Sequence, residues 1–479
     1  MTPKKIAAFA LGPIGGAFLG LITLPIVAWL FSPDDIGRLS MMQVTISFSI
    51  LLFSLGLDQA YVREFHEVEN KPALLKAVFL PGFILLSLAL TVLLLLPWSI
   101  SGILFGIDSS WLTGLLVAAI FLSFFSRFLS LILRMQEKGL AFSMSQVLPK
   151  LLFLMVIATY LLFSVEAVFK NLMIANWLSL LAVFLVYSWN TRRDWLPALT
   201  ASIDRAKQKQ MIRFGLPLIG SGIAFWGLTA MDKFFLRGFS SFEELGIYSV
   251  SISFASVALV FQAVFSTVWA PIVYKWAAEG IDPDKIKNVT DYSTLAVITI
   301  WSLAGMFSWL VSFILPEQYE RVQYILLAAM AYPLLYTLSE ATGVGIGVQR
   351  KTNFALLAAV VALVLNAIGN WYLVPKYGAA GAAVASAVAF LAFFIVRTEA
   401  SARLWQSFER GRMYVLVVVM VVLSGVVNFL PMSSVAIFFI YLVVLVSAVF
   451  LFRKQFFESF EYILSFVKSR KSVDKQIKD

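Results

Sequence analysis

The sequence predicts an all-α, polytopic membrane protein: about fourteen transmembrane helices, as two pseudo-symmetric six-helix bundles with two further helices behind them. Three observations carry this. Apolar runs of roughly 20 residues, each able to cross about 30 Å of hydrocarbon, recur along the whole 479-residue chain. Hydrophobic residues make up 60% of it and charged residues only 13%, about half the charged share of a soluble domain. Segments on either side of a long basic interruption at 190–213 also match one another.

Other classes fall away on composition. A membrane β-barrel needs alternating segments of about 10 residues, and none stands out. With no cysteine there are no disulfides and no thiolate chemistry, and the single histidine, His66, rules out a multi-histidine metal site. No glycine-rich phosphate loop, paired metal ligands or nucleophile with a base is visible, so neither an enzyme nor a cofactor is expected. The net charge of +10 implies no nucleic-acid partner, because in a membrane protein the placement of charge matters more than its sum.

In chain order, the first bundle comprises spans near 6–30, 36–57, 77–96, 111–133, 142–163 and 168–189. The apolar run after Lys4 and Lys5 has no small-residue cleavage site and reads as a span, not a removable signal. After the connector come 214–236, 245–271, 289–314, 322–342, 354–373 and 379–396, then 414–429 and 435–452. Turn residues punctuate them: SPDD at 32–35, PEQ at 316–318, PKYG at 375–378. This divides the chain into an N-terminal bundle (1–190), a basic connector (191–213), a C-terminal bundle (214–400), two additional helices (401–452) and a tail (453–479). With the N-terminus inside, most of the 37 Lys and Arg fall on cytoplasmic segments. The external turns keep Arg38, Lys170, Lys233, Arg237, Arg321 and Lys376, so both termini are placed in the cytoplasm. In the tail, Phe456, Phe460, Ile463 and Val467 share a helical face beside basic residues, a pattern for lying on anionic lipid at the cytoplasmic surface.

Two alignments indicate duplication. FALGPIGGA at 9–17 matches FGLPLIGSG at 214–222, and each leads to an acidic turn and a glycine: Asp34, Asp35, Gly37 in one half, Glu243, Glu244, Gly246 in the other. SRFLSLILRMQEK at 126–138 lies against SEATGVGIGVQRK at 339–351. An even number of spans per half makes the repeats parallel, around an axis along the membrane normal.

Ionisable residues at membrane depth are costly and so are the first functional candidates. Arg127 and Lys150 lie on consecutive spans, about 10–12 Å inside the inner boundary at 1.5 Å per residue. No embedded carboxylate in the N-terminal half is evident to pair with them, and two such cations facing a cleft suit a phosphate or diphosphate; snorkelling to headgroups is the plain alternative. Glu340 occupies the repeat position equivalent to Arg127, which suggests a gate pair of the two or a proton site at Glu340. Asp58 and Arg63, and Asp232, Lys233 and Arg237, sit at span ends where charges are usually solvated anchors. Asn366 and Asn370 share one face of the eleventh span and suit bonds between helices as well as sugar.

Four segments carry a family resemblance: GLDQAYVREF at 56–65, MDKFFL at 231–236, ELGIYSVS at 244–251 and YGAAGAAVAS at 377–386. They resemble bacterial polysaccharide-export flippases of the multidrug/oligosaccharidyl-lipid/polysaccharide exporter superfamily, over about residues 1–400. The resemblance implies two six-helix bundles around a cation-rich central cavity in the cytoplasmic (inner) membrane. It implies translocation of an undecaprenyl-diphosphate-linked oligosaccharide for lipopolysaccharide O-antigen or exopolysaccharide, alongside a polysaccharide polymerase and glycosyltransferases. Drive from a proton or sodium gradient, or from the membrane potential, stays open. So do two rivals of the same fold, an ion-coupled multidrug antiporter and a peptidoglycan-precursor flippase, and a non-transporting scaffold for glycan enzymes.

Overall fold

A computed structural model describes residues 3–459 and 461, apart from 137, 281, 282 and 431. Helix dominates, and no strand occurs among the described residues. The chain forms two compact units. The first contains Met1–Val260, Ile314–Glu320 and Ala367–Ala382; the second contains Phe261–Phe313, Arg321–Asn366 and Ala383–Asp479.

The helices run α1 (Pro3–Leu30), α2 (Pro33–Phe53), α3 (Leu57–Glu64), α4 (Lys71–Leu95), α5 (Ile100–Phe105), α6 (Ser110–Met135), α7 (Gly139–Leu162), α8 (Phe169–Asn190), α9 (Arg192–Thr200), α10 (Arg205–Phe239) and α11 (Phe242–Ala255). They continue as α12 (Ala258–Glu279), α13 (Pro283–Met306), α14 (Leu310–Ile314), α15 (Val322–Ala329), α16 (Ala331–Thr342), α17 (Val344–Val348), α18 (Asn353–Leu404), α19 (Gly411–Phe429) and α20 (Ser434–Leu451). Among the described residues, ten helical stretches are long and apolar enough to cross a membrane, and apolar side chains such as Leu95 and Leu162 are 80% exposed, as lipid-facing residues are. The chain is a multi-pass membrane protein. The expected first and fifth spans fall on α1 and α7. The expected span at 289–314 is broken between α13 and α14. Of the expected amphipathic tail face, Phe456 is described, whereas Phe460, Ile463 and Val467 lie outside the described residues, as do the side chains of Lys4 and Lys5.

Local sequence explains where the helices begin. Ser32 accepts from the Asp35 amide at 3.2 Å, Pro33 occupies the first turn, and Asp34 and Asp35 complement the helix dipole. Asn70, Ser99, Ser109, Asp204, Ser241 and Ser433 cap their helices in the same way. The second expected span is not continuous. Leu55 (φ 54°) and Gly56 (φ 65°) are left-handed, which ends α2 and redirects the chain into α3. Gly215 of α10 fills the corner, where a Cβ would stand 2.4 Å from the Leu55 carbonyl oxygen.

Within the first unit, α2 and α11 meet at the positions that the repeat alignment matches. A Cβ on Gly37 would lie 2.1 Å from the Phe242 oxygen, and a Cβ on Gly246 would lie 1.9 Å from the Pro33 oxygen. The register that matches Gly37 with Gly246 also matches Pro33 with Phe242 and Ser40 with Ser249. Ser249 Oγ donates to Ser40 Oγ at 2.8 Å. Reciprocal contacts plus a self-matched pair are what a local two-fold axis produces. The two backbones can meet only because neither glycine has a side chain. The compact units therefore divide after Val260, and α10 and α11 pack with the first repeat.

In the second unit, the segment through α15 and α16 is 83% buried and forms its centre. Beside it, the buried Trp301 indole donates to the Leu327 carbonyl at 2.8 Å. Gly305 makes way for the Tyr441 ring, which a Cβ would approach to 2.4 Å. Helix α18 is two spans meeting at Gly378 (φ 53°, ψ −127°), at the PKYG turn. On the first-unit side of that corner, Glu244 Oε2 accepts from the Ala379 amide at 2.7 Å.

Gly37→Val or Gly246→Val should destabilise the purified protein by about 1–3 kcal/mol, since backbone must shift to admit the side chain. Gly220→Ala, whose Cβ would meet open space, should leave thermal unfolding in detergent unchanged. Equal melting curves for all three variants would contradict the close α2–α11 contact.

Candidate functional site

Inside the first unit, α1, α2, α7, α8, α10 and α11 enclose a cavity of about 500 Å³. Two ammonium groups reach it, Lys150 from α7 and Lys233 from α10, and no Asp or Glu is among its described lining residues. Much of the remaining polar lining is neutral and short: Ser40, Ser47, Asn176, Ser249 and Ser253, with the longer Gln43. Lys150 Nζ donates to the Gly16 carbonyl at 2.5 Å, and Gly20 one turn later leaves room for it, since a Cβ there would lie 2.9 Å from Nζ. Lys233 makes no hydrogen bond or ion pair of its own among the described residues. Two ammonium groups in one low-dielectric chamber repel each other, and a bound anion offsets that cost. Serine hydroxyls and amides both donate and accept, as sugar hydroxyls require. The chamber thus combines positive charge with neutral hydrogen-bonding groups in its described lining.

The structure redistributes the other predicted residues. Arg127 does not line the cavity. Its Nη2 donates to Asp58 Oδ2 at 2.5 Å, and Asp58 is only 6% exposed. A carboxylate partner therefore does exist in the N-terminal half. It went unseen because Asp58 reads as a solvated residue at the end of a continuous span, whereas the break at Gly56 turns it inward. Arg63 stacks on Phe214 at 4.7 Å. Glu340 pairs with Arg397 at 3.0 Å inside the second unit, and Arg397 also donates to Ser339 at 2.9 Å. Glu340 and Arg127 thus each find a partner within their own unit, in place of the expected pair with one another.

The outer end of α10 also differs from a solvated anchor. Asp232 is 1% exposed and accepts from the Tyr248 hydroxyl and from Asn370 Nδ2, the latter at 2.7 Å. Lys233, expected in an external turn, lines the cavity. Arg237 donates to the carbonyls of Ile103 and Leu104 at the end of α5 and stacks on Phe242. Asn366 bonds to Ser386 at 2.9 Å, an interhelical bond of the kind anticipated for that face.

Sequence reasoning named Asp58 without its Arg127 partner, and it missed two further features. Arg397 falls in a basic turn at a span boundary and carries no signal as the partner of Glu340. The serines of α2 and α11 carry no signal in a hydropathy profile, although Ser40 and Ser249 occupy matched repeat positions and could have been found that way.

The family model described as "Polysaccharide biosynthesis protein" matches residues 3–276, which include the whole cavity. The probable low-salt glycan biosynthesis flippase Agl15 of Haloferax volcanii is 23% identical over 175 residues. That match covers 36% of this chain and 37% of the relative, so the chain aligns with little more than a third of its length. Among solved structures, lipid II flippase MurJ in an inward closed conformation superposes with a TM-score of 0.66 at 14% identity, covering 96% of this chain and 100% of that one. An inward-facing multidrug resistance MATE family transporter of the MOP superfamily gives 0.56 at 16% identity, covering 81% and 95%. At such identities the structural matches show a shared fold. The family match spans more than half of the sequence, and the chain belongs to the polysaccharide biosynthesis protein family.

Proposed function

We propose that this protein is a flippase for a lipid-linked oligosaccharide, carrying an undecaprenyl-diphosphate-linked glycan head across the cytoplasmic membrane by alternating access. The observation that carries the reading is the 500 Å³ chamber with two lysines and no carboxylate in its described lining. The head of such a lipid cannot cross hydrocarbon unaided, whereas its prenyl tail is at home there. Lys150 and Lys233 contact the diphosphate, the serines and amides of α2, α8 and α11 contact the sugars, and Arg127 with Asp58 ties α6 to α3 outside the cavity. A carboxylate-free chamber disfavours a cationic-drug antiporter, which needs acidic groups to bind its cargo.

Where an ion gradient drives the cycle, we place the coupling group at Asp232 in preference to Glu340. Glu340 is already neutralised by Arg397, and Asp232 is buried directly beside the cavity lysine Lys233. Asp232→Asn should then retain substrate binding while removing gradient dependence in proteoliposomes. Unchanged gradient dependence would remove Asp232 from this role.

Deleting the gene should cause the lipid-linked glycan to accumulate on the inner leaflet. Restored growth of cells depleted of their peptidoglycan-precursor flippase would instead reassign the cargo. Lys150→Gln and Lys233→Gln should each slow translocation roughly ten- to a hundredfold, the worth of one charge-assisted hydrogen bond, with lysine-to-arginine variants retaining more.

Arg127→Gln should behave differently. It strands the buried Asp58 carboxylate and should cost about 1–3 kcal/mol of stability, part of which Asp58→Asn in the same chain should restore. A pure transport defect with unaltered stability would instead put Arg127 on the substrate.

A further inference from the structure

A second concave site lies in the first unit, formed by different helix faces. Helices α4, α6, α8 and α9 enclose a groove of about 360 Å³ whose lining is almost entirely apolar. Its wall is aromatic: Phe79 stacks on Phe83 at 5.4 Å, both meet Phe125, and Phe125 meets Phe184 at 5.8 Å. Beyond Phe83 on α4, Ile84 and Leu88 are 56% and 60% exposed, so exposed apolar surface borders the groove. The roof is α9, which turns Trp195, Ala198 and Leu199 into the groove.

That roof is pinned at both ends. The Trp195 indole donates to the Ser188 carbonyl at 2.8 Å, and Lys76 Nζ donates to the carbonyls of Leu199 and Ala201 at 2.8 and 3.0 Å. At its N-terminal end α9 carries two arginines. Arg192 lies over the Trp189 ring at 4.2 Å, and Arg193 is exposed. The one acidic residue of the helix, Asp194, accepts from Gln136 at 2.8 Å. A short helix thus combines an apolar underside over an aromatic groove with cations at one end. Arg192 also donates to the Trp189 carbonyl at 2.6 Å and has further guanidinium hydrogens, and a partner without net negative charge would leave the two arginines' charge uncompensated.

We propose that this groove holds an acyl chain of an anionic phospholipid of the cytoplasmic leaflet, with its phosphate on Arg192 and Arg193. The chain fills the space between the phenylalanines and α9, and the headgroup ties the basic connector to the membrane surface. The site is separate from the lysine chamber and does not depend on the identity of the cargo.

The test uses the full-length protein in phosphatidylcholine vesicles doped with a trace of diazirine-acyl phosphatidylglycerol, diazirine-acyl phosphatidylcholine or a diazirine prenyl phosphate, with crosslinks mapped by peptide mass spectrometry. Phosphatidylglycerol should label segments 79–83 and 195–199 at least about fivefold more than phosphatidylcholine, the scale of a single interfacial arginine. Arg192→Gln with Arg193→Gln should bring the two lipids to parity. Leu80→Trp, which fills the groove, should lower labelling of both segments. Parity in the unaltered protein, a preference that survives the arginine changes, or labelling indifferent to Leu80→Trp would each overturn the proposal. Stronger labelling by the prenyl phosphate would overturn it in favour of the substrate tail. No transport is measured, so failure here leaves the flippase reading standing and failure of that reading leaves this one standing.

Discussion

The cost of keeping charge at membrane depth organises this protein. A carboxylate or guanidinium removed from water loses hydration that only a close partner can replace. The structure supplies one almost everywhere it is needed. Asp58 has Arg127, Glu340 has Arg397, and Asp232 has a tyrosine hydroxyl and an asparagine amide. Against that background the two lysines of the chamber stand apart, since Lys150 touches only a backbone carbonyl and Lys233 reaches the same space. Asp232 lies next to Lys233 in the chain, but its carboxylate is engaged by Tyr248 and Asn370 and is not part of the described chamber lining.

Glycine decides how that chamber is walled. At Gly37 and Gly246 the absence of a side chain lets α2 and α11 touch backbone to backbone. At Gly56 and Gly215 it permits the corner that turns Asp58 inward. At Gly20 it makes room for the Lys150 ammonium. Similar small residues elsewhere, such as Gly220, meet nothing and have no such role. Local helix packing and the electrostatics of the site are therefore set by the same few positions. Two of these contacts fall at positions that the repeat alignment matches.

The basic connector shows the same economy on a different surface. It is largely helical, as α9 and the first turns of α10. Its cations sit at the start of α9 and along the first turns of α10, while the apolar face of α9 closes an aromatic groove.

Much of the architecture was legible in the chain itself. Run length and apolarity identify the helices. SPDD announces where α2 begins, and PKYG marks where the two spans of α18 meet. The paired acidic turn and glycine mark the positions at which α2 and α11 meet. These features are local, governed by hydrocarbon thickness and by capping chemistry within a few residues. Lys150 was legible as an embedded cation for a similar reason, because depth along a helix follows from counting. Which charges meet was not legible. Asp58 and Arg127 are far apart in sequence, and their pairing depends on a left-handed corner at Leu55 and Gly56 that a hydropathy profile passes through. Lys233 read as an external residue and Arg397 as a cytoplasmic one, yet one faces the chamber and the other neutralises Glu340. Depth is a one-dimensional property that sequence determines. The direction a side chain faces around its helix, and what stands opposite, exist only once the helices have packed.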